Sequence, residues 1–199
     1  MTLSSLLIFA AALVVAAGSP GPSIAALVAR VVSGGVRGVF PFLLAMWIGE
    51  AIWLSFAVFG LAVVAQTFHL AFVVLKWAGV AYLAWLAWKM WSAPATTGEG
   101  ALPVADSPLR LFFAGMAVTL GNPKIMVFYL ALLPTLVDLA SVTVVGWAEL
   151  VATMALVLVA VDLAWVAAAV QARRMLKSSR AVRIANRVSA TAMAGAAAA

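Results

Sequence analysis

Two interruptions of long apolar runs contain the residues best suited to bind a small polar molecule. The first is residues 18–23, Gly-Ser-Pro-Gly-Pro-Ser, and the second is residues 121–124, Gly-Asn-Pro-Lys. Proline removes a backbone donor and clashes with the carbonyl one turn earlier, so each run is predicted to break into two half-helices. Two broken spans at corresponding depths indicate a transporter binding site. The candidate substrate-binding residues are therefore Ser19, Pro20, Gly21, Pro22, Ser23, Asn122, Pro123 and Lys124.

Each break is predicted to start a new half-helix. Ser19 can act as an N-cap with Pro20 at the first helical position, and Asn122 and Pro123 repeat this arrangement. If the two runs enter from opposite sides, both helix starts face the middle of the membrane, where their positive dipole ends favour a carboxylate. The alternative is a pair of packing kinks whose gaps are filled by serine or water.

Charged side chains inside the apolar runs are the second group that could do chemistry. A charge at the bilayer centre costs about 2.5–3.5 kcal/mol on insertion scales, so Lys124 should face the protein interior and have a partner. Glu50 and Asp162 are candidate proton carriers, or partners for a substrate ammonium. The alternative is an interior pair that only holds helices together. Lys76 is nearer the outer end of its run, where snorkelling or a structural role is as plausible as a role in transport.

The composition is that of an integral membrane protein, because 67% of the 199 residues are hydrophobic and 9% are charged. The net charge of +6 comes mostly from short loops, where lysine and arginine orient spans rather than bind nucleic acid. The chain has no cysteine and one histidine, and it carries no familiar catalytic motif. We therefore expect no enzyme activity, no cofactor and no metal site.

Five runs are long enough to cross the membrane, which takes about 20 residues. A sixth run is short, with a helical rise of about 18 Å, and is mostly alanine. The runs are 3–29, 38–65, 70–88, 111–137, 146–170 and, as the weak sixth, 188–199. Turn-rich residues 93–109 form a predicted cytoplasmic linker between repeat one (1–92) and repeat two (110–199). Three spans per repeat predict an all-α transmembrane domain of two inverted three-helix repeats, with helices 1 and 4 broken.

Positive residues predict the orientation of this fold. Ten of the twelve lysines and arginines fall in alternate loops, and the remaining two, Lys76 and Lys124, lie inside runs. Loops rich in lysine and arginine stay on the cytoplasmic side. The N-terminus is therefore predicted to lie outside.

The sequence resembles the LysE/RhtB family of bacterial amino-acid exporters along nearly its whole length. The matching motifs are Pro20-Gly21-Pro22, Gly34, Gly35 and Gly38, Lys76-Trp77-Ala78-Gly79, Tyr82-Leu83, Phe112-Phe113-Ala114-Gly115, Asn122-Pro123-Lys124, and Asp162 with Trp165. The resemblance implies export of amino acids or close relatives, driven by the proton gradient across the bacterial inner membrane. Gly79 and Tyr82 join Lys76 as structural or gating residues. Family members usually have a fuller sixth helix than residues 188–199 provide.

Our hypothesis is alternating access around a site in the middle of the membrane, with an amino acid and the lipid bilayer as partners and a homodimer as a possible assembly. One alternative is efflux of another small solute or of a metal ion, against which the scarcity of histidine and the in-span lysine argue. Another is a membrane assembly subunit that transports nothing.

Overall fold

The structure is a computed structural model that describes residues 1–60 and 107–175, together with the single positions Trp77, Trp88, Trp91, Arg187 and Thr191. Apart from these positions, the predicted third and sixth spans, most of the linker, and the candidate residues Lys76, Gly79 and Tyr82 lie outside the described residues. Within residues 1–60 and 107–175 all regular structure is helical. This agrees with the predicted all-α class.

Six helices make up the described part. They are α1 (Leu3–Gly18), α2 (Pro22–Gly34), α3 (Val39–Val58), α4 (Pro108–Leu120), α5 (Pro123–Leu136) and α6 (Val144–Met175). A π-helical turn, Phe128–Leu132, lies within α5, and the 3-10 turn Leu139–Ser141 precedes α6.

Two of these helices, α3 and α6, are long and apolar enough to cross a membrane by themselves. The pair α1 and α2 is bent by 55°, and the pair α4 and α5 by 52°. If each bent pair is one span, the described part has four spans, which correspond to the predicted first, second, fourth and fifth. α2 and α6 extend past the predicted ends at residues 29 and 170, because helical hydrogen bonding continues beyond the apolar runs.

The first break differs from the prediction in one respect. Ser19 ends α1 instead of capping a new helix, and α2 begins at Pro22 with Gly21 as its N-cap. A residue that precedes proline is disfavoured in the helical conformation. Ser19 (ψ 140°) and Gly21 (ψ −179°) are accordingly both extended, so the helix restarts after the second proline.

The second break follows the prediction. Asn122 is the N-cap of α5, and its side-chain oxygen accepts a hydrogen bond from the Lys124 backbone N–H at 3.0 Å. Pro123 occupies the first helical position, where its missing N–H costs nothing.

Contacts at one end of the bundle show where four helices meet. Gly35, after α2, lies against the Arg173 guanidinium of α6, and an added Cβ would be 3.2 Å from its Nη1 atom. Gly38, before α3, lies against Leu111 of α4, and an added Cβ would be 3.3 Å from Leu111 Cδ1. We call this the basic end, because the arginines near these termini are Arg37, Arg110, Arg173 and Arg174.

The opposite end brings together the other termini. The Met1 amino group donates to Glu149 Oε2 at 2.6 Å, and the Phe59 and Trp147 ring centroids are 5.8 Å apart. α1 and α2 therefore run toward the basic end, whereas α4 starts at that end. The two broken spans are antiparallel.

Two apolar clusters fill the bundle. One, near the basic end, is built from α2, α3, α4 and α6, and the other, toward the opposite end, from α1, α3, α5 and α6. α3 and α4 approach closely because Gly115 lets α4 pack against the α3 backbone; an added Cβ would be 2.6 Å from the Phe42 carbonyl oxygen. Gly49 similarly lies against the Thr119 side chain. The two helix breaks lie between these clusters.

Candidate functional site

The two helix breaks are in direct contact. Asn122 Nδ2 donates a hydrogen bond to Ser23 Oγ at 2.8 Å, and the two side chains are 3% and 5% exposed. Buried amide and hydroxyl groups need such partners, since an unpaired polar group in an apolar interior costs several kcal/mol. This bond therefore joins the start of α2 to the start of α5.

Lys124 makes a second connection between the breaks. Its Nζ atom donates to the Ser19 carbonyl oxygen at 2.6 Å and to Ser19 Oγ at 2.7 Å. The Ser19 hydroxyl in turn donates to the Ala16 carbonyl oxygen at 3.0 Å. A lysine of α5 thus satisfies acceptors at the C-terminal end of α1, where a cation interacts favourably with the helix dipole.

The meeting of these residues follows from their equal distance from the basic end. Ser23 lies twelve positions before Gly35, and Asp162 eleven before Arg173. Glu50 lies eleven positions after Val39, as Asn122 does after Leu111. At 1.5 Å per residue, eleven positions of helix correspond to about 17 Å, roughly half the hydrocarbon thickness. All four polar residues therefore lie at one level of the bundle.

Glu50 is buried at this level and has a neutral partner. Its side chain is 7% exposed, and Oε2 accepts a hydrogen bond from the Tyr129 hydroxyl at 2.9 Å. Tyr129 itself is fully buried, and its ring packs edge-on against Phe128 with centroids 5.0 Å apart. The contact links α3 to α5.

Asp162 is held in a similar way by a second aromatic donor, which belongs to α3. Its side chain is 2% exposed, and Oδ2 accepts a hydrogen bond from the Trp47 indole N–H at 2.9 Å. Trp47 precedes Glu50 by three positions, so both lie on one face of α3. This contact links α3 to α6.

A cavity joins all of these groups. Its empty volume is about 440 Å³, counted with its open mouth. The polar and glycine residues that line it are Gly21, Ser23, Glu50, Asn122, Lys124, Tyr129 and Asp162, and the apolar ones are Leu13, Ala16, Ala17, Ile24, Met46, Ile125 and Phe128. Six of the predicted site residues are among them. Ser19, Pro20, Pro22 and Pro123 do not line the cavity but shape the two breaks.

The charges around the cavity are not paired with one another. Among residues 1–60 and 107–175, no ion pair within 4.0 Å joins Lys124 to Glu50 or Asp162. The predicted partner of Lys124 is thus Ser19, a neutral residue, and each carboxylate has an aromatic donor. Because one ammonium and two carboxylates line the cavity, it can bind a molecule that carries both an acidic and a basic group.

Tyr129 and Trp47 are the site residues that the sequence did not reveal. A buried tyrosine or tryptophan usually hydrogen-bonds through its O–H or N–H group, so an aromatic residue near an in-span carboxylate is a usable signal. Trp47 lies one helical turn from Glu50, so this signal would have selected it but with the wrong carboxylate, because its partner Asp162 is 115 positions away. Tyr129 could not have been found in this way, because its partner is 79 positions away.

Comparison with known proteins identifies relatives along most of the chain. The family model described as LysE type translocator matches residues 13–199. A homoserine/homoserine lactone efflux protein of Salmonella typhimurium is 30% identical over 141 residues, which cover 68% of this chain and 68% of the relative. The protein of the same name from Salmonella typhi matches to the same extent.

An uncharacterised membrane protein of Synechocystis is 28% identical over 151 residues, covering 75% of this chain and 73% of the relative. No solved structure matches the chain. The family model and the efflux proteins confirm the resemblance noted in the sequence. The chain belongs to the family of LysE type translocators, which are membrane transporters and not enzymes.

Proposed function

We propose that this protein exports amino acids or close derivatives across the cytoplasmic membrane. Membership of the translocator family and the efflux relatives support a transporter that exports small solutes. The observation that carries the finer assignment is the single cavity between the two helix breaks, which gathers Lys124, Glu50 and Asp162.

A zwitterionic amino acid fits the charges of this cavity. Its ammonium would lie between Glu50 and Asp162, whose second carboxylate oxygens face no protein donor in the described part. Its carboxylate would lie on the side of Asn122 and Lys124. The name of the Salmonella relatives, homoserine/homoserine lactone efflux protein, points to small amino acids of this kind. A bare metal ion is a poorer candidate, because an ammonium lines the same cavity.

The transport mechanism that we propose is alternating access driven by protons. The bends of 55° and 52° in antiparallel broken spans support two inverted repeats, 1–92 and 110–199, that rock about the cavity. Glu50 or Asp162 would take up a proton on one side of the membrane and release it on the other. In this arrangement the basic end faces the cytoplasm of a bacterial inner membrane. Nothing in the structure favours an assembly subunit that transports nothing, and a homodimer stays a proposal.

A counterflow assay in liposomes tests this function. Protein reconstituted with unlabelled homoserine inside should accumulate labelled homoserine, and a screen of the common amino acids should identify the best substrates. Asn122→Ala should lower the counterflow rate at least about tenfold, because removing a polar contact to a bound substrate typically costs 1.4 kcal/mol or more. Pro20→Ala combined with Pro22→Ala should act in the same direction.

Thr135→Ala is the matched control, because Thr135 lies on α5 outside the cavity and hydrogen-bonds the Leu132 carbonyl within its own helix. The same liposomes with an imposed pH gradient report whether protons drive uphill transport. Unchanged counterflow in Asn122→Ala and in the double proline variant, at equal protein levels, would place the site elsewhere. Absence of counterflow for every amino acid would refute the proposed substrate class.

A further inference from the structure

The ammonium of Lys124 is held by acceptors that a substrate could replace. Both of its hydrogen bonds, at 2.6 and 2.7 Å, go to the carbonyl and hydroxyl oxygens of Ser19, which are neutral. The lysine lines the cavity and is partly exposed. A carboxylate entering this cavity would be a stronger acceptor, since hydrogen bonds between ionised groups are about twice as strong as neutral ones.

The surroundings of Lys124 allow its side chain to move. Gly21 lies against the lysine stem, and a Cβ at this position would be 3.2 Å from Lys124 Cδ and 3.4 Å from Nζ. Glycine leaves that space open. Lysine also has a flexible four-carbon stem and three rotatable donors, so its Nζ atom can change partners without backbone movement.

A change of partner would alter the first break itself. The Lys124–Ser19 bonds attach the C-terminal end of α1 to the start of α5, and Ser19 is the residue at which the 55° bend begins. The buried Asn122–Ser23 bond attaches the start of α2 to the same region and does not involve the lysine. Loss of the Ser19 bonds therefore frees the C-terminal end of α1, while Phe9 and Leu13 keep the rest of α1 packed in the bundle and α2 stays attached.

We propose that Lys124 distinguishes substrates with a free carboxylate from those without one, by leaving Ser19 to bind the carboxylate and so releasing the C-terminal end of α1. Amino acids would occupy the cavity with this end of α1 released. Lactones and esters keep the ammonium but lack the carboxylate. They would bind through Glu50 and Asp162, and the Lys124–Ser19 hydrogen bonds would stay intact. This inference rests on the proposed function and assigns to Lys124 and Ser19 the choice between the two classes.

A single cysteine next to Ser19 can report whether the Lys124–Ser19 hydrogen bonds are formed, because the native chain has no cysteine that would react as well. Gly18→Cys is suitable, since an added Cβ at Gly18 has no atom within 4 Å. The purified variant would be labelled to completion with an environment-sensitive maleimide dye and measured alone, with homoserine, or with freshly dissolved homoserine lactone. Homoserine should shift the emission of the dye in proportion to the population of the released state, whereas the lactone should leave the emission unchanged.

Variants of the lysine complete the test. Lys124→Gln in the dye-labelled Gly18→Cys protein should show the shifted emission without any ligand and respond to neither solute, and Lys124→Arg should restore the response to homoserine. If Lys124→Gln does not fold, Gly21→Ala offers a second route, because its methyl group would crowd the lysine stem. Gly34→Cys at the far end of α2 is the control, since it is equally open and should not respond to homoserine.

Counterflow of both solutes, measured in parallel, separates this inference from the function on which it rests. Transport of both solutes, with equal effects of homoserine and lactone on the dye emission or with no effect of either, would overturn the role of Lys124 and leave the exporter intact. Absence of counterflow for both would refute the proposed substrates and the inference together.

Discussion

The charged residues at the level of the helix breaks have an unfavourable free energy of insertion into a membrane. A charged group at the bilayer centre costs about 2.5–3.5 kcal/mol on insertion scales. Side-chain hydrogen bonds between membrane helices average about 0.6 kcal/mol, with a maximum near 1.7. The single bond from Tyr129 to Glu50, or from Trp47 to Asp162, therefore does not offset the cost of an ionised carboxylate. This imbalance supports the transport role proposed above for Glu50 and Asp162.

The strength of one such contact is measurable at the residue scale. A double-mutant cycle with Tyr129→Phe and Glu50→Ala should give a coupling energy of about 0.5–2 kcal/mol in the free energy of unfolding, since each change removes one partner of the bond. The physical reason is the 2.9 Å hydrogen bond between the two side chains. Unfolding in detergent, followed by circular dichroism, provides the measurement. The control cycle pairs Tyr129→Phe with Asp162→Asn, whose hydrogen bond goes to Trp47, and a coupling of equal size there would contradict this assignment.

At the scale of the helices, glycine and proline determine the geometry around the site. Two prolines fix where α1 ends and α2 begins, because each forces the preceding residue out of the helical conformation. Gly115 brings α4 against the α3 backbone at the level of Phe42. Small residues at membrane helix interfaces permit such close contact, which places Glu50 of α3 and Asn122, just past the end of α4, at one cavity.

This close packing makes Gly115 sensitive to substitution. Gly115→Ala should lower the free energy of unfolding by about 1–3 kcal/mol, because the new methyl group would lie 2.6 Å from the Phe42 carbonyl oxygen in the absence of a backbone shift. Gly18→Ala is the control and should change it by no more than about 0.5 kcal/mol, since an added Cβ there meets no atom within 4 Å. Equal unfolding midpoints for the two variants would show that α3 and α4 are not in close contact.

At the scale of the whole molecule, the contacts at the two ends of the bundle determine helix direction. α1 and α2 run toward the basic end, and α4 and α5 run away from it. Equal lengths of α2 and α4, each 13 residues, then bring both breaks to the same level. The antiparallel arrangement of the two broken spans thus needs no sequence similarity between them, only matched distances from one end of the bundle to each break.

Orientation in the membrane can be tested on the intact protein. Val36→Cys lies in the loop at the basic end and Val145→Cys near the start of α6, and the native residues are 56% and 68% exposed. A membrane-impermeant thiol reagent should label Val145→Cys in intact cells and Val36→Cys only after permeabilisation, because lysine and arginine retain a loop in the cytoplasm. The native cysteine-free chain is the background control. The reverse labelling pattern would place the basic end outside.

Much of this arrangement is readable from local sequence. The common depth of Glu50 and Asn122 could have been found by counting residues along each helix. Both lie equally far from helix ends that are in contact at the basic end. The N-cap role of Ser19 was predicted wrongly because two alternative helix starts, Pro20 and Pro22, satisfy the same capping rules. Ser19 and Gly21 each precede a proline, so both are restricted to an extended backbone, and the helix starts at Pro22.

The sequence by itself determined the membrane class, the positions of the breaks and the charged residues inside the spans, because hydropathy and proline sterics act over a few neighbouring residues. The tertiary structure decided which groups satisfy those residues. Lys124 meets Ser19 across 105 positions, and Asp162 meets Trp47 across 115. Such partners depend on the direction and close packing of whole helices, so no local pattern specifies them, and they convert two helix breaks into one cavity.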